Sequence, residues 1–498
     1  MSLVHNFPFF AILLCMVGGI FTSVLKGKAA KYLTLGVVGL VLVMNAFTLD
    51  LTIKLDASYP FMMGHFPAPW GNEIRVGRLE ALMATGFSAV MLISLLAGQY
   101  RLRDFVSEKK QNLYFIMMDL ALAATLVMVY TNDLFTGYVF IEIMTIASCA
   151  LMVVRQNGHT LVAATRYMIM NLLASGLVLM GISMLYGITG HLLMEPLQLA
   201  VRQIYQTGNY AGPLTVVIAI IASGLAIKSA LFPFHAWAPD AYAFAPPVSS
   251  AVLSGIISKA YIFLLIKFFY RVIGMEVIIA QHIDSVLFLC GIAGMLFASM
   301  LAIGQRDIRR MIAYSSVAQI GYIYMGIGMA SNLGVAAALF QMLAHSASKS
   351  LIFISGYELI SVSGDKKRFH YLHGAGYRSK AAGLAFSVAA MSMVGIPFTG
   401  GFIAKLNLAL AGMALPAWSR SLVLIALALS TLLNAIYFLH TVVSLYRRPV
   451  DDLAPDAGKP APKWVGAALI VSMLMTIWLG VGSAPIMRLI ESGLSMFS

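Results

Sequence analysis

An all-α polytopic membrane fold is predicted by two observations. Of 498 residues, 60% are hydrophobic and only 11% charged, and the apolar residues gather in long runs divided by short polar turns. Runs of that length and purity match the thickness of a bilayer rather than the half-apolar elements of a soluble core. Read against turn signals they give about fourteen membrane-crossing segments. These lie near 7–25, 32–51, 81–98, 113–131, 134–154, 161–187, 213–234, 247–266, 283–303, 308–330, 334–360, 381–411, 420–445 and 464–484.

The first run has no basic stretch before it and carries Lys26, Lys28 and Lys31 after it. That is the reverse of a secretory signal peptide, so it is expected to stay as a helix. Each following segment begins after charged or Gly- and Pro-containing turns.

Net charge is +13, a balance that would suit nucleic acid if it formed one patch. It does not. Loops after odd-numbered segments hold Lys26, Lys28, Lys31, Arg101, Arg103, Lys109, Lys110, Arg155, Arg306, Arg309, Arg310, Lys366, Lys367, Arg368, Arg378, Lys380, Arg447, Arg448, Lys459 and Lys463. The other side holds only Lys54, Arg75, Arg78, Arg202, Arg271, Arg420 and Arg488. This bias places the first set in the cytoplasm of a prokaryotic inner membrane and both termini on the opposite side. Cys15, Cys149 and Cys290 lie singly in different segments, with no CxxC pattern, so zinc or iron–sulfur ligation is not expected.

Segments 4–8 and 9–13 form two groups of five. An odd number of crossings makes the second group start from the opposite face, which is an inverted repeat by topology. The expected divisions are residues 1–110 (helices 1–3), 111–275 (first half), 276–450 (inverted second half) and 451–498 (last helix). The fourth segment of each half is interrupted: Lys228 is followed by Pro233, and Gly395, Pro397, Gly400 and Gly401 precede Lys405. Matching broken helices point to an ion path, because freed backbone groups need water or polar partners.

Six basic side chains stand inside the segments: Arg166, Lys228, Lys259, Lys267, Lys349 and Lys405. A lysine at mid-bilayer costs at least ~2.5–3.5 kcal/mol, so it needs a partner or a function. Lys267, near a segment end, is expected to snorkel to the interface. Arg166 either snorkels or pairs with an acid. The four deeper lysines suit proton or ion handling, with static pairing as the alternative.

Glu142 is the expected partner of Lys228. At ~10 Å and an effective dielectric of ~20, one charge alters the other's energy by about 1.7 kcal/mol, enough to capture or release a proton when the pair moves. His345 and Lys349, four residues apart, share a helix face and suit a relay. His440 is a weaker candidate without a lysine one turn away, and Asp119 and Glu358 are expected to serve helix packing. His235 and Asp240, in the loop after segment 7, offer only two ligands, so a rigid loop bounding the path is the better reading than a metal site.

The run KSALFPFHAWAPDAYAFAPP from Lys228 resembles the lysine-bearing helix and following loop of a known family. This is the antiporter-like subunits shared by respiratory complex I, Mrp-type multisubunit sodium/proton antiporters and membrane-bound hydrogenase complexes. DLFTGYVFIEIM around Glu142, ISKAYIFLLIKFFYR around Lys259, QRDIRRMIAYSSVAQIGYIYMGIG, HSASKSLIF around Lys349 and GIPFTGGFIAKLNLA around Lys405 match in the same order, over roughly residues 80–450. The resemblance implies that Glu142 and Lys228 form the pair of a first half-channel. Lys259 would connect to the central relay of His345 and Lys349, and Lys405 would end the second half-channel. Tyr242 and Phe244 replace histidine and glutamate common in respiratory members, and no long lateral helix follows segment 14. Both leave the parent complex open, while the QIGY run leans toward Mrp or hydrogenase assemblies.

The expected function is translocation of protons, alone or in exchange for sodium, by a subunit that binds no cofactor and is not a catalyst by itself. No nucleotide loop, haem ligand set or iron–sulfur ligand set is present in the sequence. Expected partners are lipid and other membrane subunits of such an assembly. Two alternatives stand beside it: a structural or quinone-proximal subunit without its own ion path, and a carrier of an organic solute.

Overall fold

The computed structural model describes residues 3–66, 71–448, 458 and 461–497. Lys459 and the expected division at 450/451 lie outside the described residues. The elements in order are α1 (Phe7–Val24), α2 (Lys28–Leu55), a hairpin of β1 (Tyr59–Met62) and β2 (Glu73–Val76), α3 (Arg78–Gly98), α4 (Gln111–Tyr130), α5 (Leu134–Val153) and α6 (Gly158–Thr189). Next come α7 (Met194–Thr207), α8 (Ala211–Lys228), α9 (Ala238–Phe244), α10 (Pro247–Val252), α11 (Ser258–Phe268), α12 (Met275–Ala280), α13 (Ile283–Ile303), α14 (Ile308–Gly328) and α15 (Asn332–Ser361). The last are α16 (Ala375–Arg378), α17 (Lys380–Val394), α18 (Gly400–Met413), α19 (Ala417–Tyr446), α20 (Lys463–Val481) and α21 (Ser483–Ser495).

The fold is all-α and integral to a membrane. Twelve helices among the described residues are long and apolar enough to cross one. Each of the fourteen predicted runs coincides with helical structure, but two differ from a simple span. The run 308–330 is α14, which carries Arg309 and Arg310 in its first turn. The run 381–411 divides into the short apolar pair α17 and α18. The predicted segment 213–234 ends its helix at Lys228, because Ala230 takes a left-handed conformation and Pro233 follows.

Two helices form the interior. From Pro247 to Ile273 the chain is one continuous, wholly buried rod in which α10 and α11 are joined and followed by π turns at Leu253–Ile257 and Phe269–Ile273. The other is α15, buried from Gly334 to Ile360. They touch where Ser346 Oγ donates to the Gly255 carbonyl at 2.5 Å. A π turn widens the helix locally; Lys259 follows the first by two residues and Lys267 precedes the second by two.

Around this centre glycines let some helices approach closely. Where α13 meets α14, a Cβ on Gly321 would stand 2.6 Å from the Gly291 carbonyl and 2.6 Å from the Met295 amide. Dispersion between closely packed backbones replaces the hydrophobic drive that lipid does not supply.

Helix α21 packs across α3 and α15, and beyond its end Phe497 rests against the Arg271 guanidinium, 4.0 Å from ring centroid to Cζ.

Candidate functional site

Three of the four deep lysines are fully enclosed and Lys405 is half-buried. Lys228, Lys259 and Lys349 are at most 1% exposed, and none of the four lies in ion-pair contact with a carboxylate among the described residues. Each instead rests on hydroxyl or carbonyl oxygens.

Lys228 closes the last turn of α8. Its Nζ donates to Thr145 Oγ1 at 2.8 Å and lies 5.6 Å from the centre of the Tyr261 ring. Thr145 is three residues after Glu142 on α5, so the carboxylate and the hydroxyl share a helix face. Glu142 is half-buried, with Oε1 enclosed and unpartnered. No ion-pair contact links it to Lys228 among the described residues; the ammonium donates instead to Thr145, whose own hydroxyl donates to the Ile141 carbonyl at 2.9 Å.

Lys259 follows the first π turn and folds back onto it: Nζ donates to the Ser254 carbonyl and, at 3.3 Å, to Ser258 Oγ. Lys349 Nζ donates to the Ile312 carbonyl at 2.8 Å and to Ser315 Oγ. Ser254 Oγ donates to Ser316 Oγ at 2.8 Å, so a short line of serines joins the two lysines across α14. His345 is 1% exposed and both ring nitrogens are without a partner.

Lys405 sits in α18, past the break. Gly395 ends α17 at φ +91°, and Lys405 Nζ donates to the carbonyl of Val394 at 2.7 Å and to Thr431 Oγ1 at 3.2 Å. A cation at a helix C-terminus meets the negative end of its dipole. The lysine also lies 5.0 Å from the centre of the Tyr322 ring. Ser348 Oγ on α15 donates to Ser392 Oγ at 2.9 Å, which in turn accepts from the Gly401 amide at 3.2 Å. The central helix and the second break are thereby connected.

The supporting candidates lie elsewhere. Asp240 on α9 accepts from Arg166 of α6 at 3.0 Å and from Arg310 of α14, so Arg166 pairs rather than snorkels. Those two guanidinium contacts occupy both Asp240 oxygens. His235 stacks on Phe232 at 5.4 Å, and no cluster of three metal-ligating side chains occurs among the described residues. Asp119 accepts from Thr22 and Thr34 at 3.3 and 2.9 Å, tying α4 to α1 and α2. Glu358 accepts from Arg101 and from the Ala461 amide. His440 is exposed and away from the lysines, in a basic cavity with His370 and His373.

Lys267 does not snorkel. It is fully buried, and its Nζ donates to the carbonyls of Val129, at 2.8 Å, and Thr131 at the end of α4. Beside it Arg271 and Glu80 form a sealed ion pair that sequence reading missed, because each stands at the margin of an apolar run. Burial of the second π turn is the signal, and no periodicity in the sequence marks it.

Two broken helices, each carrying a lysine at its break, beside two wholly buried helices carrying lysine and histidine define a class: polytopic membrane chains with basic side chains in their interior. Residues 131–434 match the family model described as NADH:quinone oxidoreductase/Mrp antiporter, TM, and the chain belongs to that family. It is 32% identical over 452 residues to NADH-quinone oxidoreductase subunit N of Desulforudis audaxviator, covering 89% of this chain and 87% of that one. It is 27% identical over 458 residues to a subunit of the Na(+)/H(+) antiporter of Alkalihalophilus pseudofirmus, covering 91% and 88%. Its fold matches a chain in the membrane-bound sulfane sulfur reductase, an archaeal respiratory membrane complex, with a TM-score of 0.87 at 22% identity over 100% of this chain and 98% of that one.

Proposed function

We propose that this chain is an ion-translocating subunit of a larger membrane assembly, moving protons, with sodium exchange as a variant, along a mid-membrane axis of Glu142, Lys228, Lys259, His345, Lys349 and Lys405. The observation that carries the reading is the absence, among the described residues, of a carboxylate in contact with any of the four lysines. A static buried charge is retained by a paired counter-ion. Groups held on hydroxyls and carbonyls can give up and regain a proton without breaking such a pair, and the serine line offers positions for water between them.

Two half-units, 111–275 and 276–450, inverted relative to each other, would supply access from opposite faces. Basic loops at the ends of odd-numbered segments favour an inner-membrane orientation with both termini outside the cytoplasm. The similarity to chains of quinone-reducing, antiporter and other respiratory complexes supports partners of that kind.

The test is proton flux by the intact assembly in vesicles. Lys228→Ala or Glu142→Ala should abolish flux while assembly is retained. Normal flux in either variant overturns the axis and leaves a structural subunit.

A further inference from the structure

A second cluster of cationic side chains lies apart from the lysine axis. A cavity of about 470 Å³ at one end of α19 is lined by Arg306, Arg368, Arg447, His370, His373 and His440, with Phe369 and Val443. Among the described residues no carboxylate lines it. Around the start of α14 cations are matched: Asp240 takes Arg166 and Arg310, and Asp307 takes Lys367 at 2.9 Å. Arg306, Arg368 and Arg447 have no ion-pair partner among the described residues.

The frame of the cavity is built. The backbone of Arg368 bridges Asp307, the Ile308 amide donates to the Lys367 carbonyl at 3.1 Å, and Ser444 Oγ donates to the Phe369 carbonyl at 3.3 Å. The loop is thus tied to the start of α14 and the end of α19. His440 meets Phe369 edge-on at 6.0 Å. The His373 imidazole is held below its ordinary value by partial burial and by the nearby Arg447, His370 and His440, so the cations converge on one another. Like charges held together without a counter-ion favour an anion with several acceptor oxygens.

What distinguishes a lipid from a free anion is the surface below the cavity. Leu432, Ile436, Leu439 and Val443 form one outward stripe of α19, 59%, 47%, 43% and 67% exposed, that runs into the cavity. From Leu432 to Val443 the rise is about 16 Å, roughly one leaflet of hydrocarbon.

We propose that this cavity binds the phosphate of an anionic phospholipid whose acyl chains lie along the outer stripe of α19.

The intact chain, purified in its assembly, is titrated with dioleoyl-phosphatidylglycerol, dioleoyl-phosphatidylcholine and sodium phosphate, reading thermal unfolding and retained lipid by native mass spectrometry. Phosphatidylglycerol should bind and raise the unfolding temperature, and Arg368→Gln with Arg447→Gln should weaken it at least about tenfold. Arg368→Lys with Arg447→Lys should keep most of the effect. Equal binding of phosphatidylcholine, or unchanged binding by the glutamine variant, overturns the site. Equal stabilisation by sodium phosphate overturns the lipid as its source. Should the glutamine variant not fold, the unaltered chain still decides. Its phosphatidylglycerol must be lost between ~0.1 and 1 M salt as screening shortens, and retention at high salt counts against the proposal.

Discussion

Arg271 Nη2 lies 2.7 Å from Glu80 Oε1, with the two side chains 4% and 0% exposed. One guanidinium nitrogen makes the contact, so the pair is a single charged contact rather than a bidentate fork. Glu80→Gln would leave Arg271 beside Lys267 without an anion. The expected loss is about 3–5 kcal/mol, seen as a lower unfolding temperature in detergent. Replacing both Glu80 and Arg271 by Met should recover much of it. An undisturbed Glu80→Gln protein would show that water, not the carboxylate, compensates the guanidinium.

Thr145 is the nearest polar contact of Lys228. Thr145→Val keeps the shape and removes the acceptor, at a cost of about 1.5–3 kcal/mol for a hydrogen bond to a charged group. Flux should fall about tenfold or more, while Thr145→Ser should retain it. Equal flux in all three proteins would remove Thr145 from the path.

The second break depends on close backbone approach. A Cβ on Gly401 would lie 1.8 Å from the Ser392 carbonyl, with nothing flexible to yield. Gly401→Ala should therefore lower the yield of folded protein and the unfolding temperature. Gly36→Ala, on α2 with open space around it, is the control. It should be neutral or stabilise by up to about 1 kcal/mol.

Asp240 joins Arg166 and Arg310, which are 60% and 43% exposed. Exposed pairs contribute little, so Asp240→Asn should cost about 1 kcal/mol or less and the cost should shrink with salt. A loss as large as that of Glu80→Gln would assign the loop a larger structural role.

His373 provides a pH-dependent term. Arg447, His370 and His440 face it, with Arg306 and Arg368 across the same cavity. Because its folded value is depressed, the unfolded chain takes up the proton first. Its contribution is complete above ~6.5 and declines as pH falls from there to the folded value. His373→Gln should flatten the unfolding temperature between pH 7 and 5.5. An unchanged pH profile would exclude this histidine as the source.

Composition and run length were enough to read an all-α membrane protein, because the bilayer demands long apolar helices whatever their packing. The motif order around Glu142, Lys228, Lys259, Lys349 and Lys405 was enough to read the family. Lys228 and Lys405 were legible as positions beside helix breaks, since proline and glycine act locally on the backbone.

What hydropathy could not separate was a segment margin from the protein interior. Lys267 and Arg271 follow an apolar run, as snorkelling residues do, yet the second π turn and the surrounding helices enclose them. His440 lacked a lysine on its own helix, and its histidine neighbours arrive from a loop some seventy residues earlier, tied back by α14 and α19. Charge suggested Glu142 as the partner of Lys228, but no pattern in the sequence marked Thr145 as the acceptor that the fold sets against the ammonium. The sequence by itself determined the number and character of the apolar runs, the breaks and the residues able to carry a proton. Tertiary structure decided which groups touch. Solvation by lipid acts on each segment independently, but contacts between side chains depend on the rotation and depth at which separate helices pack.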